Sequence, residues 1–210
     1  MPAVAYFSIA LAAYLLGSIP FGFLLVRIFR KEDIRSKGSG NIGATNVIRS
    51  GAKGLGALTF LLDVFKGYCA VLLAEYAADR LGVPLRNAVA IAGICAVIGH
   101  IYTVWLRFKG GKGVATAFGV FLGLASWAAL ASLAVFVLVF ALSRYVSLAS
   151  ILGAAAFPAF ALLFPHDAYG TCLTAVVILA PLLVIAKHHE NIGRLLHGTE
   201  YRFGKAKAAA

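Results

Sequence analysis

Three polar segments of this 210-residue chain contain residue types that bind phosphate-like anions. The first, residues 38–46, reads GSGNIGATN and is followed by Arg49. Glycine-rich turns can direct several backbone N–H groups at one anion, and Ser39, Thr45 and the amides of Asn41 and Asn46 add hydrogen bonds. Arginine supplies a planar cation that can hold two oxygens at once. The composition fits an oxyanion site and fits an ordinary solvated loop equally well.

The second segment, Lys109-Gly110-Gly111-Lys112-Gly113, precedes a long apolar stretch that begins at Val114. A helix starting there would place unpaired N–H groups and the positive end of its dipole beside a lysine. The spacing is not that of a Walker A loop, because Gly113 follows Lys112 where that motif needs Ser or Thr. We interpret the segment as a phosphate cradle, with a simple positive flank of a membrane helix as the alternative.

The third segment runs from Lys187 to Arg194 and is followed by Thr199-Glu200. On a helix His188 and Asn191 share one face, because they are three residues apart. His188 and His189 are adjacent and point to different faces, and no cysteine supplements them, so we predict no metal site.

The first six letters of the 38–46 segment also match the G-x-G-x-x-G spacing of a dinucleotide-binding turn. That pattern has meaning only between a short strand and a helix. The uncharged block before it, residues 4–26, is far too long for such a strand and contains Gly17-Ser18-Ile19-Pro20, which suits a kinked membrane helix. The sequence therefore excludes the nucleotide interpretation.

The elements that must position these segments are membrane helices. The chain is 61% apolar and only 13% charged, against about 25% charged in soluble domains. Four blocks carry no Asp, Glu, Lys, Arg or His, namely residues 4–26, 114–142, 146–164 and 168–186. Two more, 55–78 and 85–105, are apolar but carry a few polar residues. Each block is long enough to cross about 30 Å of hydrocarbon.

Basic residues predict the orientation, because Lys and Arg concentrate in cytoplasmic loops. They cluster after the first block, after the third and near the carboxyl end, at Arg27, Arg30, Lys31, Arg35, Lys37, Arg49, Lys53, Arg107, Lys109, Lys112, Lys187, Arg194, Arg202, Lys205 and Lys207. All three clusters share one side only if block 114–142 is a hairpin that turns near residues 123–127. We therefore predict an all-α protein with seven transmembrane helices, short helices at the cytoplasmic face, an external amino terminus and a cytoplasmic carboxyl terminus. Six spans are the alternative.

Polar groups inside the apolar blocks are costly and are functional candidates. Asp63 and Lys66 are three residues apart, and we expect them to form a structural ion pair within the second span. His100, near the inner end of the third span, suits either helix packing or the site.

At these residues the chain resembles the bacterial membrane acyltransferases that move a fatty acyl group from acyl phosphate to glycerol-3-phosphate. The resemblance covers essentially the whole length. It rests on the segments 17–22, 39–46 with Arg49, 63–67, 99–100, 108–113, and His188 with Asn191 before 198–200. Thr103 departs from the family, which usually has Pro at this position.

The resemblance implies a single integral-membrane domain over residues 1–210 and no cofactor. Ser39, Arg49 and Lys112 match residues that bind phosphate, and His188 and Asn191 match the glycerol-3-phosphate side; we take these five as catalytic. The substrate-binding set that the resemblance implies is Gly40, Asn41, Gly43, Thr45, Asn46, Lys66, His100, Gly110, Gly111, Gly113 and Glu200. The implied partners are acyl phosphate, glycerol-3-phosphate and the lipid bilayer, not nucleic acid.

The implied reaction makes lysophosphatidic acid, the first acylation of phospholipid synthesis, at the cytoplasmic side of the bacterial inner membrane. A glycerol-3-phosphate hydroxyl attacks the acyl carbonyl and inorganic phosphate leaves, so the enzyme needs mainly alignment and charge stabilisation. Ser39 as a covalent nucleophile is an alternative, as is a phosphorylated-solute transporter, which predicts inverted repeats and a continuous polar path. A lipid-binding scaffold would not need three oxyanion segments.

Overall fold

The computed structural model describes residues 2–163 and 170–204, and these are mostly helical. The described residues form ten α-helices: α1 Pro2–Ser18, α2 Phe21–Arg30, α3 Ala44–Arg49, α4 Lys53–Leu81, α5 Leu85–Ile101, α6 Val114–Leu124, α7 Ser126–Ser143, α8 Val146–Leu163, α9 Thr171–Ala186 and α10 His189–Leu196. Two short 3₁₀ turns lie at Ile34–Ser36 and Val104–Leu106. The predicted all-α class is confirmed.

Within the described residues, five helical segments have the length and apolar composition to cross a membrane: Pro2–Arg30, Lys53–Leu81, Leu85–Leu106, Ser126–Ser143 and Val146–Leu163. A sixth exists if α9 and α10, bent by 55° at their junction, count as one unit. Each of the six falls on an apolar block predicted from the sequence.

The long block 114–142 is interrupted at Ala125, inside the predicted turn region. The helix before the break, α6, has 11 residues and extends about 16 Å, roughly half of the hydrocarbon thickness. Two helices in this block are therefore confirmed, whereas seven crossings and their orientation stay predictions. His166, Lys205 and Lys207, which that topology also uses, lie outside the described residues.

Helix pairs α1–α5 and α4–α6 pack with their backbones in contact. A Cβ atom at Gly17, Gly99, Gly67 or Gly119 would overlap with a backbone carbonyl oxygen of the partner helix. Small residues allow this close approach in membranes, where packing rather than the hydrophobic effect drives helix association. The close α4–α6 contact brings the polar residues of α4 next to the start of α6, where the second polar segment lies.

The bend after α5 explains the departure at Thr103. Its φ of −63° is the value that a proline ring would impose, so threonine occupies a proline-compatible conformation. The buried Thr103 hydroxyl donates a 2.5 Å hydrogen bond to the carbonyl of Ser18, at the end of α1 where Pro20 interrupts the helix. Threonine thus keeps the bend and ties it to the α1–α2 break, which a proline could not do.

Candidate active site

One cavity brings all three polar segments together at the ends of α3, α5, α6 and α9. Twelve of the predicted site residues line it: Ser39, Asn41, Gly43, Thr45, Asn46, Arg49, His100, Lys112, Gly113, His188, Asn191 and Glu200. Four others do not line it, namely Gly40, Lys66, Gly110 and Gly111. The convergence of three segments that are spread between residues 38 and 200 favours a site over three unrelated loops.

Asn46 holds the first segment in shape and is buried. Its amide nitrogen donates to the carbonyls of Ile34 at 3.2 Å, Lys37 at 3.0 Å and Asn41 at 2.8 Å, and its oxygen accepts from Ser39 N–H at 2.9 Å. Both ends of the Asn46 side chain are therefore committed to the loop. Gly38 has φ +56°, and a Cβ there would overlap with the Asn46 carboxamide oxygen, so only glycine fits.

The same loop leaves a second set of groups free to bind a ligand. Within the described residues, the hydroxyls of Ser39 and Thr45 make no hydrogen bond to the protein. Arg49, the last residue of α3, places its guanidinium 4.1 Å from the centre of the Tyr201 ring. The arginine therefore keeps its N–H groups available at the cavity wall.

The second segment is folded against His100. Gly110 N–H donates to the carbonyl of Ile101 at 3.0 Å and Gly111 N–H to the carbonyl of His100 at 3.1 Å. A Cβ at Gly111 would overlap with Nε2 of the same histidine ring. These two glycines thus pack the loop against the end of α5. Lys112 and Gly113, which has φ +83°, line the cavity.

A buried polar cluster supports the His100 ring. Lys66 Nζ lies 2.8 Å from Asp63 Oδ1, which confirms the predicted ion pair, and it also donates to the carbonyl of Ile19 at 2.7 Å. The Lys66–Asp63 contact is an ion pair rather than an aligned hydrogen bond, because Asp63 Oδ1 accepts none. His100 Nδ1 lies 3.6 Å from the same oxygen and 3.0 Å from Thr116 Oγ1 of α6.

In the third segment, Glu200 organises the residues around Lys112. The carboxylate of Glu200 accepts hydrogen bonds from Ser147 at 3.1 Å, Asn191 at 2.8 Å and Arg194 at 2.7 Å. Burial opposes its charged form, but these hydrogen bonds outweigh burial and lower the pKa of Glu200. The oxygen of the Asn191 amide in turn accepts a hydrogen bond from the Lys112 ammonium.

Burial also sets the ionisation of Lys112. Removal from water lowers its pKa to about 8, a change that the charge of Glu200 only partly opposes and that Arg194 and Arg49 reinforce. Lys112 is therefore mostly an ammonium at pH 7 but gives up its proton far more easily than a surface lysine does.

His188 is neutral and has a defined tautomer. Burial lowers its pKa to about 4, against the hydrogen bond to Val184, which favours the charged ring. Nδ1 lies 2.8 Å from the Val184 carbonyl, and since a carbonyl oxygen can only accept, Nδ1 carries the proton. Nε2 is then the ring's hydrogen-bond acceptor.

Beyond the polar end, the cavity continues as an apolar slot between α6, α7 and α8. Its walls include Phe60, Phe118, Phe121, Leu133, Phe136 and Ala154. The ring of Phe121 stacks on the buried Phe157 ring with their centres 3.7 Å apart. An anion-binding head joined to an apolar slot fits an amphiphile with a phosphate group and an acyl chain.

Sequence reasoning missed residues that line or support this site, among them Ser147, Tyr201 and Thr116. Ser147 and Thr116 lie in ordinary apolar helices, where an isolated hydroxyl carries no signal in a single sequence. Tyr201 directly follows the predicted Glu200, yet its role depends on a contact with Arg49, which lies far away in the chain.

The fold defines a helical integral membrane protein, and its site is a cavity in which the Arg49 and Lys112 cations adjoin an apolar slot. A family model described as glycerol-3-phosphate acyltransferase matches residues 7–198. The chain belongs to this glycerol-3-phosphate acyltransferase family. It is an acyltransferase acting on glycerol-3-phosphate in phospholipid synthesis, as the resemblance implied.

Curated relatives match over nearly their whole length. The glycerol-3-phosphate acyltransferase of Rhodospirillum rubrum is 47% identical over 100% of this chain and 96% of its own. That of Bartonella henselae is 43% identical over 93% of this chain and 90% of its own. The match to the Rhodospirillum rubrum protein spans the whole of this chain and therefore includes all three polar segments.

Two solved structures share the fold. Both are crystal structures of PlsY (YgiH), an integral membrane glycerol 3-phosphate acyltransferase. The glycerol 3-phosphate form has a TM-score of 0.85 and 40% identity, and covers 95% of this chain and 96% of its own. The lysophosphatidic acid form has a TM-score of 0.83 and 39% identity, with 95% of each chain covered.

Proposed function

We propose that the acyl donor is acyl phosphate and that the products are lysophosphatidic acid, acylated at the 1-hydroxyl, and inorganic phosphate. The observation that carries this proposal is the junction of the Arg49 and Lys112 cations with the apolar slot in one cavity. Acyl phosphate has the matching shape, a phosphate attached directly to an acyl chain. The two solved relatives are a glycerol 3-phosphate form and a lysophosphatidic acid form, which are an acceptor and a product of the kind proposed here.

In this proposal Ser39, Arg49 and Lys112 hold phosphate, and His188 and Asn191 orient glycerol-3-phosphate. The hydroxyls of Ser39 and Thr45 and the guanidinium of Arg49 are available for this purpose. Asn46 and Glu200 act mainly by holding other groups, because their polar atoms bond to backbone or to neighbouring side chains. The Asn41 oxygen likewise accepts from Gly43 N–H, whereas its Nδ2 makes no hydrogen bond within the described residues. His100 packs against Gly110 and Gly111 of the second segment, and Lys66 contributes through Asp63, which lies beside the His100 ring.

The reaction needs no covalent intermediate with the protein. The 1-hydroxyl oxygen forms a bond to the acyl carbon, the bond from that carbon to the phosphate oxygen breaks, and phosphate carries away the electron pair. Lys112 and Arg49 stabilise the charge that develops on the departing phosphate. A nucleophilic Ser39 would need a neighbouring base, and within the described residues its hydroxyl makes no hydrogen bond to one.

The hydroxyl proton goes to a phosphate oxygen rather than to a protein base. His188 Nε2 is placed as an acceptor, but a pKa of about 4 makes its ring a weak base at neutral pH. A phosphate monoester has a second pKa of about 6 and is the stronger base. His188 therefore orients the hydroxyl, and the phosphate takes its proton.

The setting of this reaction is part of the proposal. We infer seven crossings, of which α6 is a short one that begins at the site. The three polar segments would then lie on the cytoplasmic side of the bacterial inner membrane. Both phosphorylated substrates would then reach the cavity from water, while the acyl chain occupies the slot between α6, α7 and α8.

The deciding experiment compares donors with purified protein. Lysophosphatidic acid should form from palmitoyl phosphate and glycerol-3-phosphate, with one phosphate released per product. Palmitoyl-coenzyme A should give no turnover above background, because the cavity joins the Arg49 and Lys112 cations directly to the apolar slot and, within the described residues, no soluble domain lies beside it to hold a nucleotide. Comparable rates with both donors would contradict the proposal.

A further inference from the structure

The short segment Thr199–Gly204, which we call the strap, crosses the polar end of the cavity after α10. It is tied to the α10 end through Thr199 N–H, which donates to the Arg194 carbonyl at 2.8 Å. At its other end Phe203 N–H donates to the Arg144 carbonyl at 3.0 Å, in the turn between α7 and α8. With Glu200 bonded in between, both ends and the middle of the strap are fixed.

The strap carries Tyr201 onto Arg49. The Tyr201 ring lies 4.1 Å from the guanidinium carbon of Arg49, and the Phe203 ring packs edge-on against Tyr201 with their centres 5.0 Å apart. Both Arg49 and Tyr201 line the cavity. Within the described residues Arg49 has no ion pair and no side-chain hydrogen bond, so the tyrosine ring is the contact that orients it.

Stacking on the ring suits a guanidinium that must bind an anion. A guanidinium stacked on an aromatic ring uses its flat face for that contact. A phosphate instead binds in the plane of the guanidinium, through the N–H groups at the edge of that plane. The two contacts therefore do not compete. A carboxylate partner, in contrast, would occupy the N–H groups that the phosphate needs.

We propose that Tyr201 is a positioning residue, which fixes the plane of the Arg49 guanidinium so that its N–H edge faces a substrate phosphate. This inference rests on the proposed role of Arg49 as a phosphate ligand. It assigns the work to the ring face and not to the phenol oxygen, because the Tyr201 hydroxyl makes no hydrogen bond within the described residues.

The test uses Tyr201→Leu and Tyr201→Phe in the full-length protein. Binding of glycerol-3-phosphate and of inorganic phosphate is measured by calorimetry without any acyl donor, and KM and kcat are measured in the acyl-transfer assay. Tyr201→Leu should weaken binding of the anion held by Arg49, and raise the matching KM, by about three- to thirtyfold. Tyr201→Phe should stay within about twofold of the parent protein.

A double variant separates positioning from mere folding support. If Tyr201 acts through Arg49, then Arg49→Lys combined with Tyr201→Leu should bind no worse than Arg49→Lys alone. The matched control is Tyr76→Leu, which removes a similar stack on Arg80, 4.8 Å away, outside the cavity lining. It should change neither binding nor KM.

Losses that add in the double variant, or equal losses in Tyr201→Phe and Tyr201→Leu, would overturn the inference. A failure of acyl phosphate as donor is a separate result, because the binding measurements contain no donor. If no anion binding depended on Arg49, both this inference and the phosphate role of Arg49 would be overturned. The comparison of acyl donors would not be affected by that result.

Discussion

Most polar side chains around the cavity serve to hold other groups, and few remain to bind substrate. Asn46 makes four hydrogen bonds within its own loop, and the Glu200 carboxylate accepts three from its neighbours. Among the described residues, the groups left free include the hydroxyls of Ser39 and Thr45, Nδ2 of Asn41, the Arg49 guanidinium and Nε2 of His188, and the Lys112 ammonium has N–H groups beyond the one it donates to Asn191. This division explains how neutral amides and a carboxylate can occur in a site built for anions.

The ionisation of Lys112 gives a prediction at the residue scale. Because burial lowers its pKa to about 8 and only the ammonium form attracts phosphate, kcat/KM should fall as the pH rises through about 8. The kcat profile at saturating substrate should fall at a higher pH, since bound phosphate stabilises the ammonium. Initial rates at limiting and saturating acyl donor between pH 6 and pH 10 provide the measurement.

Two substitutions check whether Lys112 causes this loss of activity at alkaline pH. Lys112→Arg retains its charge beyond pH 12, so any activity that it keeps should lack the decline near pH 8. Lys112→Ala removes a charge-assisted contact worth roughly 1.5–3 kcal/mol and should lower kcat/KM by about ten- to a hundredfold at pH 7. Lys53→Ala, at an exposed position outside the cavity lining, is the control and should keep the parent profile. If kcat/KM of Lys112→Arg still fell near pH 8, the loss of activity would have to come from the titration of another group.

At the scale of elements, the second polar segment depends on two close approaches to the end of α5, one to its backbone and one to the His100 ring. Gly110 and Gly111 lie against the end of α5, and their N–H groups bond to its last carbonyls. The His100 ring that fills the space behind them is itself held by Asp63 of α4 and Thr116 of α6. Three membrane helices thus cooperate to place one loop.

Gly111→Ala tests this arrangement. The added methyl group would overlap with Nε2 of His100, so either the ring or the loop must move and Lys112 must shift with it. We expect acyl transfer to fall by at least tenfold while the protein still inserts into membranes. The measurement is the initial rate at matched protein levels, together with the thermal midpoint in detergent.

Gly193→Ala is the matched control for that substitution. Gly193 lies within α10, next to the site, and a Cβ there would meet nothing within 4 Å. Alanine favours helix by up to about 1 kcal/mol over glycine, so this variant should be as active and at least as stable. If Gly111→Ala behaved like Gly193→Ala, the His100 support of the loop would be disproved.

At the scale of the whole molecule, the distribution of positive charge predicts the orientation in the membrane. A reporter fused after Lys207 should be cytoplasmic, and one inserted at His166 should be external, because seven crossings place the basic clusters on one side. Both positions lie outside the described residues, so the reporter assay tests the charge-based orientation by itself. Alkaline phosphatase and fluorescent-protein fusions at the two sites provide opposite signals.

The number of crossings made by block 114–142 decides this prediction. A single crossing there would make the helices after it cross in the opposite sense, and the His166 reporter would be cytoplasmic. A cytoplasmic signal at His166 would therefore reject seven crossings and favour six.

Hydropathy and residue spacing by themselves determined the class of fold and the position of most helices. Charge-free blocks must be membrane helices because unpaired backbone groups cannot face hydrocarbon, and the break at Ala125 falls inside the turn region predicted for block 114–142. The three polar segments were also identifiable, since glycine, hydroxyl and basic residues seldom cluster in a chain so apolar. The family resemblance then joined them to one reaction.

Only the tertiary structure decided which polar atoms are free and which are already bonded. Asn46 and Ser39 belong to the same motif, yet Asn46 closes the loop and Ser39 is left open. The Tyr201–Arg49 stack and the support of His100 by Thr116 join residues that are distant in sequence and carry no common pattern. Such contacts depend on the angles and close approach of packed helices, and spacing along a single sequence does not encode the distance between two helices.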